Sequence, residues 1–248
     1  MSLPKPRLAI FGDSHHACLR QAHGQNLVDL SALDVEYWGH VGKRFRFLSC
    51  RDGAIMPVDD QTARRFAKFN EKGRTFLPAA DFDAILFMSC RVDVTPLFQT
   101  LLAARRSGPF LTSGLQQRMA GDCLRTQRFY TYARDMATSG GARILLAPVS
   151  FPTEGYAGLR PQPDPATRAA TSEDRAAIWT MLAATAAADG LTLLPQPEET
   201  VTDGLYTRAA FAIPDHESLN DHAHKNAAYG ALIWDRLLAE PGLGHRSA

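Results

Sequence analysis

Leu8-Ala9-Ile10-Phe11 is a continuous apolar run with no polar alternation. A strand with one face in water alternates apolar and polar residues. A run without alternation needs cover on both faces, as in a parallel sheet flanked by helices. The pattern recurs at Ala84–Met88, at Arg143–Ala147 around Ile144-Leu145-Leu146, and more briefly at Val35–Trp38 and Leu191–Leu194. Stretches with helical spacing separate these runs, at about His15–His23, Thr95–Arg106, Ser113–Ser139 (one helix or two), Ser172–Asp189 and His224–Ala239. Thr171 and Asp174 suit a capping box at the start of the fourth, and Gly190 suits its end. Ile178, Met181, Leu182 and Thr185 share one face of it. Tyr229, Ile233 and Leu237 step by four along the last, which Pro241-Gly242 closes. Strands alternating with helices predict an α/β fold, a three-layer α/β/α sandwich on a five-stranded parallel sheet with right-handed crossovers. The 248 residues suit one domain of this class.

Residues 40–80 interrupt the alternation. Arg44-Phe45-Arg46-Phe47 has strand period, Asp52-Gly53 suits a two-residue hairpin turn, and Ala54–Val58 suits the return strand. A polar helix follows at about Gln61–Phe69. This insertion holds nine basic residues (Lys43, Arg44, Arg46, Arg51, Arg64, Arg65, Lys68, Lys72 and Arg74) against four acidic ones. Its excess of five positive charges leaves the rest of the chain at −4. It reads as a solvated excursion, or as a lid that draws in an anionic substrate. Pro161–Pro165 reads as a loop.

Composition narrows the function. With 27 basic and 26 acidic residues, the net charge is +1, which argues against gripping a phosphate backbone, so no nucleic-acid partner is expected. No stretch approaches the roughly 20 apolar residues of a membrane span. The first apolar run is too short for a secretory signal, which predicts a cytoplasmic protein. Cys18, Cys50, Cys90 and Cys123 are scattered, with no Cys-x-x-Cys, and are expected to be reduced thiols.

Ligands of open α/β sheets bind at the carboxyl ends of the strands, so Gly12-Asp13-Ser14 is the first place to look. A serine just past a strand, at a helix N-terminus, meets free N–H groups suited to an oxyanion. It needs a neighbouring base to become a nucleophile; the alternative is that Ser14 only caps the helix. At the far end, Asp221 and His224 stand three apart at the mouth of the last helix. A carboxylate at that spacing can reach the imidazole and fix its tautomer, leaving the other nitrogen to take a proton from Ser14. The alternative there is a capping aspartate and two surface histidines.

Phe11-Gly12-Asp13-Ser14 after the first strand and Asp221-x-x-His224-x-Asn226 before the last helix together resemble the SGNH hydrolase superfamily, the GDSL-type esterases and lipases. The likeness spans the chain as topology, although its specific motifs cover only about a dozen residues. It implies a flavodoxin-like strand order, with Ser14 as nucleophile, His224 as general base and then acid, and Asp221 orienting His224. It also implies an oxyanion hole from the Ser14 N–H and the Gly39 N–H, with Gly42 the nearby competitor. No cofactor is expected.

The chain departs from the family after its third strand. Where a Gly-x-Asn-Asp block would supply an asparagine donor, it has Ser89-Cys90-Arg91-Val92-Asp93. Arg91 is the candidate replacement, able to hold an oxyanion or an anionic substrate, or else a structural partner of Asp93. Asp13, His15 and Arg91 are the candidate substrate contacts, while His15 and His16 are expected to pack or line the pocket. Other readings carry less. Asp215, His216, Asp221, His222 and His224 are dense enough for a metal site but lack a tight ligand spacing, so no metal is expected. Cys90 reads as an inert buried thiol. One glycine after a strand is too little for a dinucleotide or phosphate loop. Trp38, Phe45 and Phe47 read as core and lid packing. The expected function is serine-dependent hydrolysis of a carboxylic ester, the substrate being a small-molecule or carbohydrate ester. The alternatives are O-acyl transfer to a carbohydrate, or a non-catalytic binding protein on the same fold.

Overall fold

The computed structural model describes residues 4–40, 42–107, 110–156 and 165–243; most of the expected loop at Pro161–Pro165 lies outside them. β1 (Arg7–Gly12) runs into a 3₁₀ turn at Ser14–His16 and then α1 (Ala17–Gly24), and β2 (Asp34–Gly39) follows. Next come a 3₁₀ segment (Gly42–Phe47), a hairpin of β3 (Leu48–Arg51) and β4 (Ala54–Pro57), α2 (Asp60–Phe69) and the short β5 (Leu77–Pro78). The sheet resumes with β6 (Ala84–Met88), followed by α3 (Thr95–Ser107), α4 (Ser113–Arg125), α5 (Arg128–Ser139) and β7 (Arg143–Ala147). The chain closes with α6 (Pro165–Arg168), α7 (Ser172–Ala188), β8 (Thr192–Leu193), the ribbon β9 (Val201–Thr202) and β10 (Tyr206–Thr207), and α8 (Ala227–Leu238).

The main sheet has five strands in the order β2-β1-β6-β7-β8, every neighbouring pair parallel. Counted along the chain this is 2-1-3-4-5, the flavodoxin-like order, whose switch point lies between β1 and β6. The fold is a three-layer α/β/α sandwich. Period-two alternation explains the continuous apolar runs, because successive residues serve opposite layers. Leu8 and Ile10 join the core under α1 and α8. Ala9 and Phe11 join the core under α3, α4, α5 and α7.

The expected capping box at Thr171 and Asp174 is present, with Thr171 accepting from the Asp174 N–H and Asp174 accepting from the Thr171 N–H. The segment Ser113–Ser139 is two helices. The last helix starts later than its periodicity predicts. Asn226 caps it by accepting from the Tyr229 N–H at 3.1 Å, and Lys225 is bridged to Ala212 across an antiparallel contact. Asp221 and His224 therefore sit on the loop before α8, not on its first turn.

The 40–80 insertion does hold a hairpin and a helix, and Asp52 and Gly53 take the two positive φ values (48° and 70°) that a tight hairpin turn needs. The expected strand at Arg44–Phe47 is instead the 3₁₀ segment. Residues two apart on a strand share a face, but Phe45 is buried against Phe11 and Phe129, with ring centroids 5.5 and 4.3 Å away, while Phe47 is exposed beneath Arg44. The insertion is not a detached lid. Phe45, Leu48, Ile55, Phe66 and Leu77 are fully buried in the larger core. Part of its basic charge is structural as well: Lys72 and Arg74 pair with the buried Glu36 of β2 at 2.9 and 3.5 Å. Arg64, Arg65 and Lys68 of α2 are exposed.

α1 and α8 bring the two ends of the chain together. Trp234 donates its indole N–H to the Leu19 carbonyl at 3.0 Å. A Cβ on Gly230 would lie 2.1 Å from the Cys18 carbonyl oxygen, so only glycine permits this approach. Gly230→Ala is expected to lower the unfolding free energy by about 3 kcal/mol, the upper end of overpacking costs. Gly114→Ala, at a helical site with open space around it, should instead raise stability by about 0.5 kcal/mol. Urea unfolding midpoints of the two variants check both signs.

Candidate active site

Ser14 opens the 3₁₀ turn just past the end of β1, beside the switch point of the sheet. Asp13, not Ser14, is the N-cap, its Oδ1 accepting from the His15 N–H at 3.2 Å. The Ser14 hydroxyl is thus released from capping. Asp13 is buried, and its backbone carbonyl receives the His16 ring nitrogen Nδ1. The sequence marks Asp13 as a candidate substrate contact; in the structure its carboxylate caps the turn and stands 4.0 Å from the Arg91 guanidinium.

The loop before α8 carries the partners. Asp221 divides its two oxygens. Oδ1 accepts from the backbone N–H groups of Ala223 and His224 at 3.2 and 3.0 Å, and Oδ2 accepts from His224 Nδ1 at 2.7 Å. With that proton facing Asp221, His224 Nε2 is left as an acceptor, 2.7 Å from Ser14 Oγ. Burial resists ionisation of Asp221, but the backbone and ring donors of His224 outweigh it and hold the carboxyl below its ordinary range. The i, i+3 spacing does join these residues, through a turn closed by the carboxylate and not through a helix.

The strand ends beside Ser14 are bare backbone. Gly12 and Gly39 are register partners at the ends of β1 and β2. Gly39 has φ +148°, and a Cβ there would fall 1.9 Å from the Gly12 carbonyl oxygen; one on Gly12 would fall 2.7 Å from the Met88 carbonyl oxygen. After β6, Ser89, Cys90 and Arg91 all take positive φ (60°, 44° and 59°). Left-handed non-glycine residues cost on the order of 1–3 kcal/mol each. The turn is held by Ser89 N–H to the Ala147 carbonyl at 2.7 Å, Val92 N–H to the Ser89 carbonyl at 2.8 Å and Cys90 Sγ–H to the Phe11 carbonyl at 3.3 Å. Burial pushes the Cys90 thiol well above its ordinary range, as fits an inert residue. The turn carries Arg91 back over the site. Its guanidinium donates to the Gly42 carbonyl at 2.7 Å, stands 4.0 Å from Asp13 and covers the Phe45 ring. Arg91 thus faces Asp13, not Asp93, whose Oδ1 accepts from the Thr95 N–H.

His15 stacks on His224 with ring centroids 4.7 Å apart. Burial lowers its pKa, partly offset by the charge of Asp13. His16 is fully buried against Phe69, its Nε2 without a hydrogen-bond partner. A cleft of about 590 Å³ is lined by Asp93, Gln99, Tyr156 and His222 together with Asp221 and His224. No spacing in the sequence marks Tyr156 or Gln99 for this position; the fold alone brings them there. Among the described residues no group of three or more His, Cys, Asp or Glu side chains is arranged to hold a metal ion. None of the described helices is long and apolar enough to cross a membrane.

No family model matches the chain, and no curated protein matches it in sequence. Among solved structures, the crystal structure of the protein YxiM from Bacillus subtilis is similar at a TM-score of 0.33 and 12% identity, over 94% of this chain and 55% of that one. The chain thus spans about half the length of that structure.

His16 generates a pH prediction. Burial brings its pKa down to about 4, against the donor and charge effects of Asp13. As pH falls below about 6.5, the unfolded chain takes a proton that the folded chain refuses until near 4. The stabilising contribution is therefore complete above about pH 6.5 and is lost toward pH 4, on the order of 3 kcal/mol in all. Urea unfolding at pH 7 and 4.5 should show a larger acid loss for the wild type than for His16→Phe. Equal losses would mean that His16 does not titrate in this way.

Proposed function

We propose that this chain is a serine-dependent hydrolase of carboxylic esters on the SGNH plan. The observation that supports the reading best is the unbroken pair of 2.7 Å contacts from Asp221 through His224 to Ser14, joining groups 210 residues apart. In this reading Ser14 Oγ attacks the ester carbonyl carbon while its proton passes to His224 Nε2. Asp221 holds the tautomer and stabilises the imidazolium that forms. The Ser14 and Gly39 N–H groups, with the Arg91 guanidinium, receive the oxyanion. The tetrahedral intermediate collapses, the C–O bond to the alcohol breaks, and His224 returns its proton to the departing oxygen. A water then repeats the sequence on the acyl-serine and releases the acid.

Transfer of the acyl group to a carbohydrate hydroxyl is the second reading. The cleft supports it, since a carboxylate, an amide and a tyrosine ring beside the general base offer both hydrogen bonds and an apolar face to a sugar acceptor.

A fluorophosphonate probe should label the wild type and fail to label Ser14→Ala. A folded wild type that resists the probe and turns over no ester would favour a binding role instead. Asp221→Asn should cut kcat by about 10³–10⁴-fold with the melting temperature little changed; unaltered turnover would remove Asp221 from the mechanism. Arg91→Ala should lower kcat more than it raises KM if the guanidinium serves the oxyanion. A change confined to KM would assign it to substrate anchoring. Product analysis with added sugar alcohols separates transfer from hydrolysis.

A further inference from the structure

Lys225 follows the general base directly, yet no step above uses it. The side chain is 4% exposed. Its Nζ donates to three oxygens: the His222 carbonyl at 3.0 Å, the Ala223 carbonyl at 3.0 Å and Thr153 Oγ1 at 3.3 Å. Two of these belong to the residues just before His224. The third lies on the loop after β7, where the Thr153 N–H itself donates to the His222 carbonyl at 2.8 Å. The backbone at Lys225 is meanwhile bridged to Ala212. From these contacts we infer that Lys225 is a positioning residue, an internal ammonium that ties the His222–His224 segment to the loop after β7 and so sets the imidazole against Ser14. The inference rests on the catalytic reading of Ser14 and His224, and deepens it.

The number of donors matters. An ammonium has three N–H groups and meets three acceptors here, whereas a neutral amine has two N–H groups and turns a lone pair on the third oxygen. Deprotonation therefore loosens the loop that carries the base. The ionisable groups facing Lys225 are Cys18 on α1 and Asp221 on its own loop, with His15 close enough to feel its charge. Burial pulls the amine down to about 7, with Cys18 and Asp221 acting in the opposite sense. The third hydrogen bond is thus lost as pH rises through the lysine's titration.

The test is the pH profile of kcat for ester hydrolysis by the full chain, for wild type, Lys225→Met and Thr153→Val. The low-field proton resonance of the Asp221–His224 hydrogen bond is recorded on each. The expected result for Lys225→Met is a kcat about 10²-fold lower, the cost of a misplaced catalytic group, with KM within about two-fold. The alkaline limb of the wild-type profile should vanish, and the resonance should broaden or disappear. Thr153→Val, which keeps the lysine and removes one acceptor, should shift kcat in the same direction by less; it decides the matter if Lys225→Met does not fold. Wild-type kcat and resonance in a folded Lys225→Met would overturn the inference. So would a uniform drop in kcat with the pH profile unaltered, since that marks ordinary destabilisation. If the wild type neither hydrolyses esters nor takes the fluorophosphonate label, the catalytic reading fails on its own, and the resonance still reports whether Lys225 sets the His224 ring.

Discussion

The ends of three strands meet as naked backbone beneath Ser14. The contact between Gly12 and Gly39, with the Met88 carbonyl behind Gly12, leaves no room for a single Cβ. Everything else at the site is laid over that floor. The chain leaving β1 turns at once, into the 3₁₀ turn at Ser14–His16. Asp13 caps that turn and frees the Ser14 hydroxyl. Because β6 ends on the other side of β1, the left-handed turn at Ser89–Arg91 returns a guanidinium over the same spot. The backbone strain of that turn is sustained by its hydrogen bonds to Ala147, Ser89 and Phe11.

The layering was legible in the sequence because it follows from period two. Apolar runs without alternation demand two covering layers, and the alternating residues of β1 do divide between the two cores. The pairing of Ser14 with His224 and Asp221 was legible as spacing and placement, but the means were not. A helical turn was the economical way to bring i and i+3 together, yet the carboxylate does it by binding two backbone N–H groups of a loop. What stops helix α8 from starting earlier is the bridge between Lys225 and Ala212, a tertiary contact with no local signature. The 3₁₀ segment at Gly42–Phe47 was missed for a related reason. Period two says that Phe45 and Phe47 agree, and only the packing of Phe45 between Phe11 and Phe129 shows that they do not.

Charge was read less well than shape. The basic excess of the 40–80 segment suggested an excursion into solvent, but its aromatic and aliphatic residues are anchored in the main core, and two of its cations neutralise a carboxylate buried at the sheet edge. Net charge over a segment counts ions without asking whether each has a buried counterpart. Lys225 shows the same point from the other side: its burial among three oxygens has no signature in the sequence.

The helix pair α1 and α8 fastens one end of the chain to the other through Gly230 and Trp234. This has a consequence for folding. Ser14 and His224 are 210 positions apart, so no local segment can form their contact, and it carries the loop-closure cost of a non-local pairing. The imidazole reaches the hydroxyl only when the segment before α8 is carried in by the docking of α8 on α1. The pairing of these two side chains therefore reports the docking of those two helices.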